Sequence, residues 1–167
     1  MPNLEIAIRR AAPSDTESIA QLYAELVSNP AVAVLPERID QISKDANTAL
    51  LVCEYRGIVC GTALVSLCAD VMFRSQPFAV VENFVISSSA RRQGLGTLLL
   101  RHIEAFCLAN DCSKIILLSS VERERAHHFF ECAGFTGSSK RGFIKYRRSF
   151  EATTSKQLRG SPSASFS

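Results

Sequence analysis

Apolar and polar residues alternate over residues 4–10, with Leu4, Ile6 and Ile8 on one side, and this period of two predicts a half-buried strand. The period then lengthens. Pro13-Ser14-Asp15 opens a segment in which Ile19, Leu22, Tyr23 and Leu26 recur at helical spacing, and Ser14 and Glu17 are spaced as a capping box. Asn29-Pro30 ends this helix, residues 30–36 read as a loop, and Pro36 starts a short helix to about residue 46. Two β-rich runs, 49–55 and 58–68, are joined only by Arg56-Gly57, which predicts an antiparallel hairpin.

A loop to Pro77 leads into a Val- and Phe-rich strand over 78–86. Residues 87–96 are polar and glycine-bearing, and a long helix follows to about residue 110, with Leu95, Leu98, Leu99, Ile103 and Phe106 as its buried stripe. Residues 114–119 form a continuous apolar run, the pattern of a strand buried on both faces. A helix over 124–133 places Ala126, Phe129, Phe130 and Ala133 on one side, and Gly134 stops it as a C′ glycine. Residues 143–150 complete the pattern as a last strand. The order β-α-α-β-β-β-α-β-α-β predicts an α/β domain over 1–150, a mixed sheet with helices on its faces. Residues 151–167, rich in Ser and Thr, are expected to be a flexible tail because they hold too little apolar surface to order themselves.

Composition narrows the function classes. The chain has 167 residues, 47% hydrophobic and 21% charged, which suits one folded domain and excludes collagen, coiled coil and wholesale disorder. The longest apolar run, between Arg56 and Asp70, is shorter than the ~20 residues of a membrane-spanning helix. The N-terminus lacks the basic start and apolar core of a secretory signal, and the six cysteines form no Cys-x-x-Cys pair, so reduced thiols and a cytoplasmic location are expected. His102, His127 and His128 have no zinc-site spacing to a cysteine or carboxylate, and no metal is expected. A net charge of +3 is too small to argue for nucleic acid. Lys140, Arg141, Lys145, Arg147 and Arg148 do gather in one acid-free stretch, either as a solvated edge or as an attraction for an anionic ligand.

The chemistry concentrates in Val85-Ile86-Ser87-Ser88-Ser89-Ala90-Arg91-Arg92-Gln93-Gly94-Leu95-Gly96-Thr97, where a strand runs through a polar turn into a helix. A first helical turn has N–H groups without partners and a partial positive charge. Glycines there remove the Cβ atoms that would hold a ligand off the backbone, and Arg91 and Arg92 add cationic donors, so the segment suits a phosphate or pyrophosphate. Neither the Walker-type loop nor Gly-x-Gly-x-x-Gly can be written here, since residue 99 is Leu.

Arg91-Arg92-Gln93-Gly94-Leu95-Gly96 resembles the Arg/Gln-x-x-Gly-x-Gly/Ala signature of the GNAT superfamily of acyl-CoA-dependent N-acetyltransferases. Ala126-His127-His128-Phe129-Phe130-Glu131-Cys132-Ala133-Gly134-Phe135 is similar to that family's second signature, and the element order follows the family over residues 6–150. The resemblance implies a GNAT fold, a mostly antiparallel central sheet with helices on both faces, splayed where the co-substrate acetyl-CoA inserts. It implies that the backbone at Val85 and Ile86 pairs with the pantetheine arm, and that N–H groups from Arg92 through Gln93, Gly94, Leu95, Gly96 and Thr97 hold the pyrophosphate. It further implies direct attack of a small molecule's primary amine on the thioester, with no acyl-enzyme.

Such a reaction needs a neutral amine, support for the oxyanion and a proton for the leaving thiolate. Glu82, three residues before Val85 in an otherwise apolar strand, is the candidate base acting through water; its alternative is an edge residue paired with an arginine. Burial would favour the base role. Many relatives place a tyrosine acid where this chain has Phe130, and neither Tyr55 nor Tyr146 is well placed by spacing to replace it. Of His127 and His128, one is expected at the surface, with the other left as base or cofactor contact; Ser119 and Ser120 are expected to cap the helix after them. Phe130 keeps open a non-catalytic acyl-CoA-binding or regulatory module, and a protein or peptide acetyltransferase is a further alternative. The resemblance also allows a homodimer, and the basic stretch would suit an anionic acceptor.

Overall fold

The computed structural model describes residues 5–150, so Leu4 and the expected tail at 151–167 lie outside the described residues. Five strands form one sheet in the order β1 (Ile6–Arg10), β2 (Thr48–Tyr55), β3 (Ile58–Cys68), β4 (Phe78–Ile86) and β5 (Ile115–Leu117). Every pairing is antiparallel except β4 with β5. The β2–β3 hairpin turns at Arg56 and Gly57, which hold φ of 53° and 76°; two successive positive angles match the strand twist and bring Tyr55 opposite Ile58.

Four helices cover both faces: α1 (Thr16–Leu26), α2 (Pro36–Ser43), α3 (Leu95–Ala109) and α4 (Glu124–Cys132). Strand β2 shows how the alternation distributes them. Leu50 and Val52 pack with Ile19 of α1 and Ile39 of α2, while Ala49 and Leu51 pack with Leu99, Leu100 and Ile103 of α3 and Phe130 of α4. Buried Cys53, Cys60 and Cys107 belong to this packing; all six cysteines are free, and burial pushes the Cys53 and Cys107 thiols up to about 12. No helix among the described residues is long and apolar enough to cross a membrane.

The capping box expected of Ser14 and Glu17 does not form. A 3-10 turn at Pro13–Asp15 precedes α1, and the buried Asp15 carboxylate accepts the Ala12 N–H at 2.7 Å. It also receives two bonds from Arg9, at 2.7 and 2.9 Å, while Arg9 reaches Glu54 at 2.7 Å. Asp15 thus takes both the local N–H and the charge on the neighbouring strand, and ties the start of α1 to β1 and β2.

Two strand expectations need correction. Residues 114–119 shorten to three paired residues, and Ile116 is 38% exposed, because β5 is a sheet edge rather than a central strand. Residues 143–150 form no strand: a 3-10 turn occupies Arg147–Ser149, and Phe143, Ile144, Tyr146 and Phe150 are exposed. So short an edge offers little ladder for another strand, and four like charges between Arg141 and Arg148 repel one another. The stop at Gly134 is as expected. With φ of 93°, Gly134 donates to Glu131 and Phe135 donates to Phe130, at 2.9 and 3.0 Å, closing a Schellman motif.

Candidate active site

Strand β4 changes character along its length. Ala79 to Val81 pair with β3 on one side and β5 on the other, but from Glu82 onward only β3 remains. At that point the register slips: Leu64 faces Glu82 and Thr62 faces Val85, leaving Asn83 and Phe84 across from Ala63 alone. This is a β-bulge, and Asn83 at its centre has φ of 54°, a left-handed conformation uncommon outside glycine. The sheet therefore opens between β4 and β5 as the resemblance implies.

Phe84, beside Asn83 on the bulge, packs into a group of four phenyl rings with Phe129, Phe130 and Phe135, at centroid distances of 5.2 to 5.8 Å. Phe130 is the most buried of them and makes edge-on contacts, so a phenyl ring at this position joins α4 to the bulge. His127 reaches the Ser120 carbonyl at 2.8 Å, and exposed His128 lies 3.6 Å from Cys132. Neither serine caps α4: its first residue follows Arg123, with no side-chain cap, and the Ser119 hydroxyl is buried without a partner. Its expected role is corrected accordingly, since that hydroxyl lies two residues past Leu117, where β5 has parted from β4.

Beyond β4 the chain makes a 3-10 turn at Ser88–Ala90 and enters α3 through Arg92 and Gly94, with φ of 63° and 78°. No side chain caps α3, so the N–H groups of its first turn lack intrahelical partners. The two glycines serve different ends. A Cβ at Gly94 would meet nothing within 4 Å; its need is the left-handed turn, and open space lies over it. A Cβ at Gly96 would instead come within 3.3 Å of Phe129, with Ile86 close behind, so this glycine allows helix, strand and α4 to approach. Of the two glycines, Gly94 thus faces open space and Gly96 faces protein. Gly61 on β3 likewise leaves room for Ile86, whose side chain is wedged between two glycines.

Arg91 turns back on the protein. Its Nε donates to the Ile86 carbonyl at 3.1 Å, and Nη2 lies 3.8 Å from Glu25 of α1. Glu25 also accepts from the Ser88 N–H at 2.8 Å and the Ser87 hydroxyl at 3.0 Å; that backbone bond, first among several, holds its carboxyl below the usual carboxylate range. Glu25 thus braces the turn ahead of α3, a role that an exposed helical carboxylate does not announce in sequence. Arg92, Gln93 and Thr97 are exposed, and Val85 is buried.

Glu82 is exposed rather than buried, and it forms no hydrogen bond or ion pair with a described residue, so it is not the arginine-paired edge residue either. Its register partner Leu64 lines a cavity of about 390 Å³ between α1, α2, β2, β3 and the bulge. Tyr23 and Asn83 share that lining. Burial pushes the Tyr23 phenol up, with the Asn83 side chain opposing as a hydrogen-bond partner. Tyr23 was hidden within the apolar stripe of α1, and its only signal was a phenol among aliphatic residues. Tyr146 is exposed, and Tyr55 sits at the far end of β2, its ring 5.1 Å from the Arg56 guanidinium.

An uncapped helix start, open space at Gly94 and an unpartnered buried hydroxyl at the sheet's gap suit a thioester carrier with an anionic diphosphate. Comparison with solved structures returns the same fold. A putative acetyltransferase from Agrobacterium tumefaciens str. C58 is 23% identical with a TM-score of 0.74, covering 84% of this chain and 99% of its own. Glucosamine-6-phosphate N-acetyltransferase from Arabidopsis thaliana is 24% identical with a TM-score of 0.71, covering 85% and 98%. An aminoglycoside acetyltransferase from an uncultured soil metagenomic sample is 14% identical with a TM-score of 0.74, covering 87% and 98%. No curated protein matches the chain. The family model for the acetyltransferase (GNAT) family matches residues 16–135, a span that includes the bulge, the turn and both signature helices, and the chain belongs to that family.

Proposed function

We propose that the protein transfers the acetyl group of acetyl-CoA to a primary amine of a small molecule, in one step and without an acyl-enzyme. The observation that carries this reading is the conjunction of β4's one-sided stretch with the uncapped start of α3 directly after it. From Glu82 onward β4 has no β5 partner, so its edge at Val85 and Ile86 would receive a pantetheine arm as an added strand is held, the arm sharing the Ile86 carbonyl with Arg91 or displacing it. N–H groups from Arg92 to Thr97 would hold the diphosphate, with Arg91 fixing the turn through Ile86 and Glu25.

An alkyl amine with a pKa near ~10.4 must lose a proton before it attacks. Glu82 stands on the cavity face, next to the bulge and in contact with solvent, so it would remove that proton through water. Phe130 has no proton to give, and Ser119 supplies the unpartnered buried hydroxyl nearest the gap that can donate a hydrogen bond to the departing thiolate. A cavity of about 390 Å³, bordered by α2 and residues 27–35, is of a size that suits a small-molecule acceptor. Free thiols agree with a cytoplasmic setting.

Phe130, seated among phenyl rings, favours one competing reading, a non-catalytic acyl-CoA-binding or regulatory module. Incubation with acetyl-CoA and a panel of primary amines separates the two. Amine-dependent release of free thiol is expected; acetyl-CoA binding without thiol release for any amine would establish the binding module.

A further inference from the structure

We infer that the acceptor is a monoamine with a compact apolar body, and that a polycation such as a polyamine or an aminoglycoside is excluded; this rests on the acetyltransferase reading above. Two cavities among the described residues are large enough to hold an acceptor. One, of about 360 Å³, lies beside Asn47, Leu67 and Pro77, at the start of β4 and remote from Ile86. The other is bounded by the bulge itself, through Asn83, and by Leu64, the register partner of Glu82. The proposed base, Glu82, neighbours Asn83 of this second cavity in sequence and Leu64 in register.

That cavity is lined by aliphatic side chains, among them Ile19, Leu26, Val32, Ile42, Leu50 and Leu64. Its polar groups are few: the Tyr23 phenol, the Asn83 amide at the bulge and the Arg38 guanidinium. No aspartate or glutamate is in the lining. A substrate with several ammonium groups would have to shed its hydration with no carboxylate in the lining to replace it and only Glu82 beside the bulge for one of them, against the charge of Arg38, whose contact among described residues is Gln41 at 3.0 Å. An alkyl or aryl body loses nothing polar on entry and gains contact with aliphatic walls. Tyr23 and Asn83, side by side near β4, are placed to orient a single polar head. The basic stretch at 140–148 contributes no lining residue, so the acceptor-binding role open to it in the sequence does not extend to this cavity.

The test is a homologous series. With acetyl-CoA in excess, kcat/KM measured by thiol release should rise about threefold to fourfold per methylene from ethylamine to hexylamine, the increment expected for burial of a CH₂ group. Hexylamine and 2-phenylethylamine should exceed ethanolamine, glucosamine and spermidine by at least about tenfold. Ala33→Trp, an exposed position on the cavity rim, should flatten the chain-length slope through KM while leaving acetyl-CoA affinity by calorimetry as it was. Arg38→Glu should raise spermidine relative to hexylamine at least about fivefold. A flat series, or polar or polycationic amines used as well as hexylamine, would overturn the inference while the acetyltransferase reading stood. If no amine releases thiol, hexylamine and ethanolamine binding by ligand-observed NMR in the presence of coenzyme A decides the cavity's chemistry alone: tighter hexylamine supports an apolar occupant, and equal or absent binding overturns it.

Discussion

On the α3/α4 side of the sheet the core behind the start of α3 is tightly packed: Leu99 and Ile103 are wholly buried, four phenyl rings lock α4 onto the bulge, and the cavity of about 360 Å³ beside Leu67 and Asn110 lies at the opposite end of α3. On the α1/α2 side Ile19 and Ile39 are equally buried, yet the helices and residues 27–35 leave about 390 Å³ unfilled. The filled side is the one that carries the start of α3, whose N–H groups, as the proposed diphosphate cradle, would have to be held still. The unfilled side is where the proposed acceptor would enter. Rigidity and room are thus divided between the two faces of one sheet, and β4 is the strand that serves both.

The contrast is broken most strongly from the filled side. Phe130→Ala should cost about 3–5 kcal/mol of stability in denaturant unfolding, since three ring contacts vanish into a cavity, whereas Val32→Ala on the other side should stay below about 1 kcal/mol. Next comes the cradle. Gly94→Glu forces a left-handed residue and aims a carboxylate at the diphosphate, and acetyl-CoA affinity in calorimetry should fall by at least about a hundredfold.

A third test concerns the Arg9–Asp15–Glu54 cluster that fastens the unfilled side's α1 to the sheet. Hydrogen bonds from Arg9 hold the Asp15 carboxyl below its ordinary value. Its stabilisation is therefore complete above a pH of about 4 and is lost as the pH falls through the lowered folded value. Melting curves of the wild type should drop over that acidic window; Asp15→Asn should flatten the window and cost about 1–3 kcal/mol at neutral pH. Smaller effects belong to the chemistry that joins the faces. Glu82→Gln should spare acetyl-CoA binding and lower kcat, most visibly at low pH where the amine is protonated, and Ser119→Ala should lower kcat about threefold to tenfold with KM for acetyl-CoA nearly unchanged.

Much of this was legible before any fold was known, and the reason is locality. Arg56-Gly57, Gly94 and Gly134 announce turns because each must adopt a backbone angle that neighbouring residues cannot compensate. The bulge was invisible, since Asn83 adopts its angle only when β3 presents one residue against two. The packing role of Gly96 was equally hidden: an absent Cβ looks the same whether a ligand or Phe129 fills the space. Ser14 and Glu17 had correct spacing, yet the bonds at the start of α1 go to Asp15, from the Ala12 N–H and from Arg9 on another element.

Alone, the sequence determined where helices and strands begin, which face of each is apolar, and that a glycine-bearing turn leads into the central helix, because periodicity and backbone preference act over a few residues. Tertiary structure decided that Phe130 is a packing residue, that Tyr23 and Asn83 meet, that Ser119 is left without a partner, and that residues 143–150 join no sheet. Those outcomes depend on which distant surfaces come into contact, and contact across many residues is a property of the assembled fold.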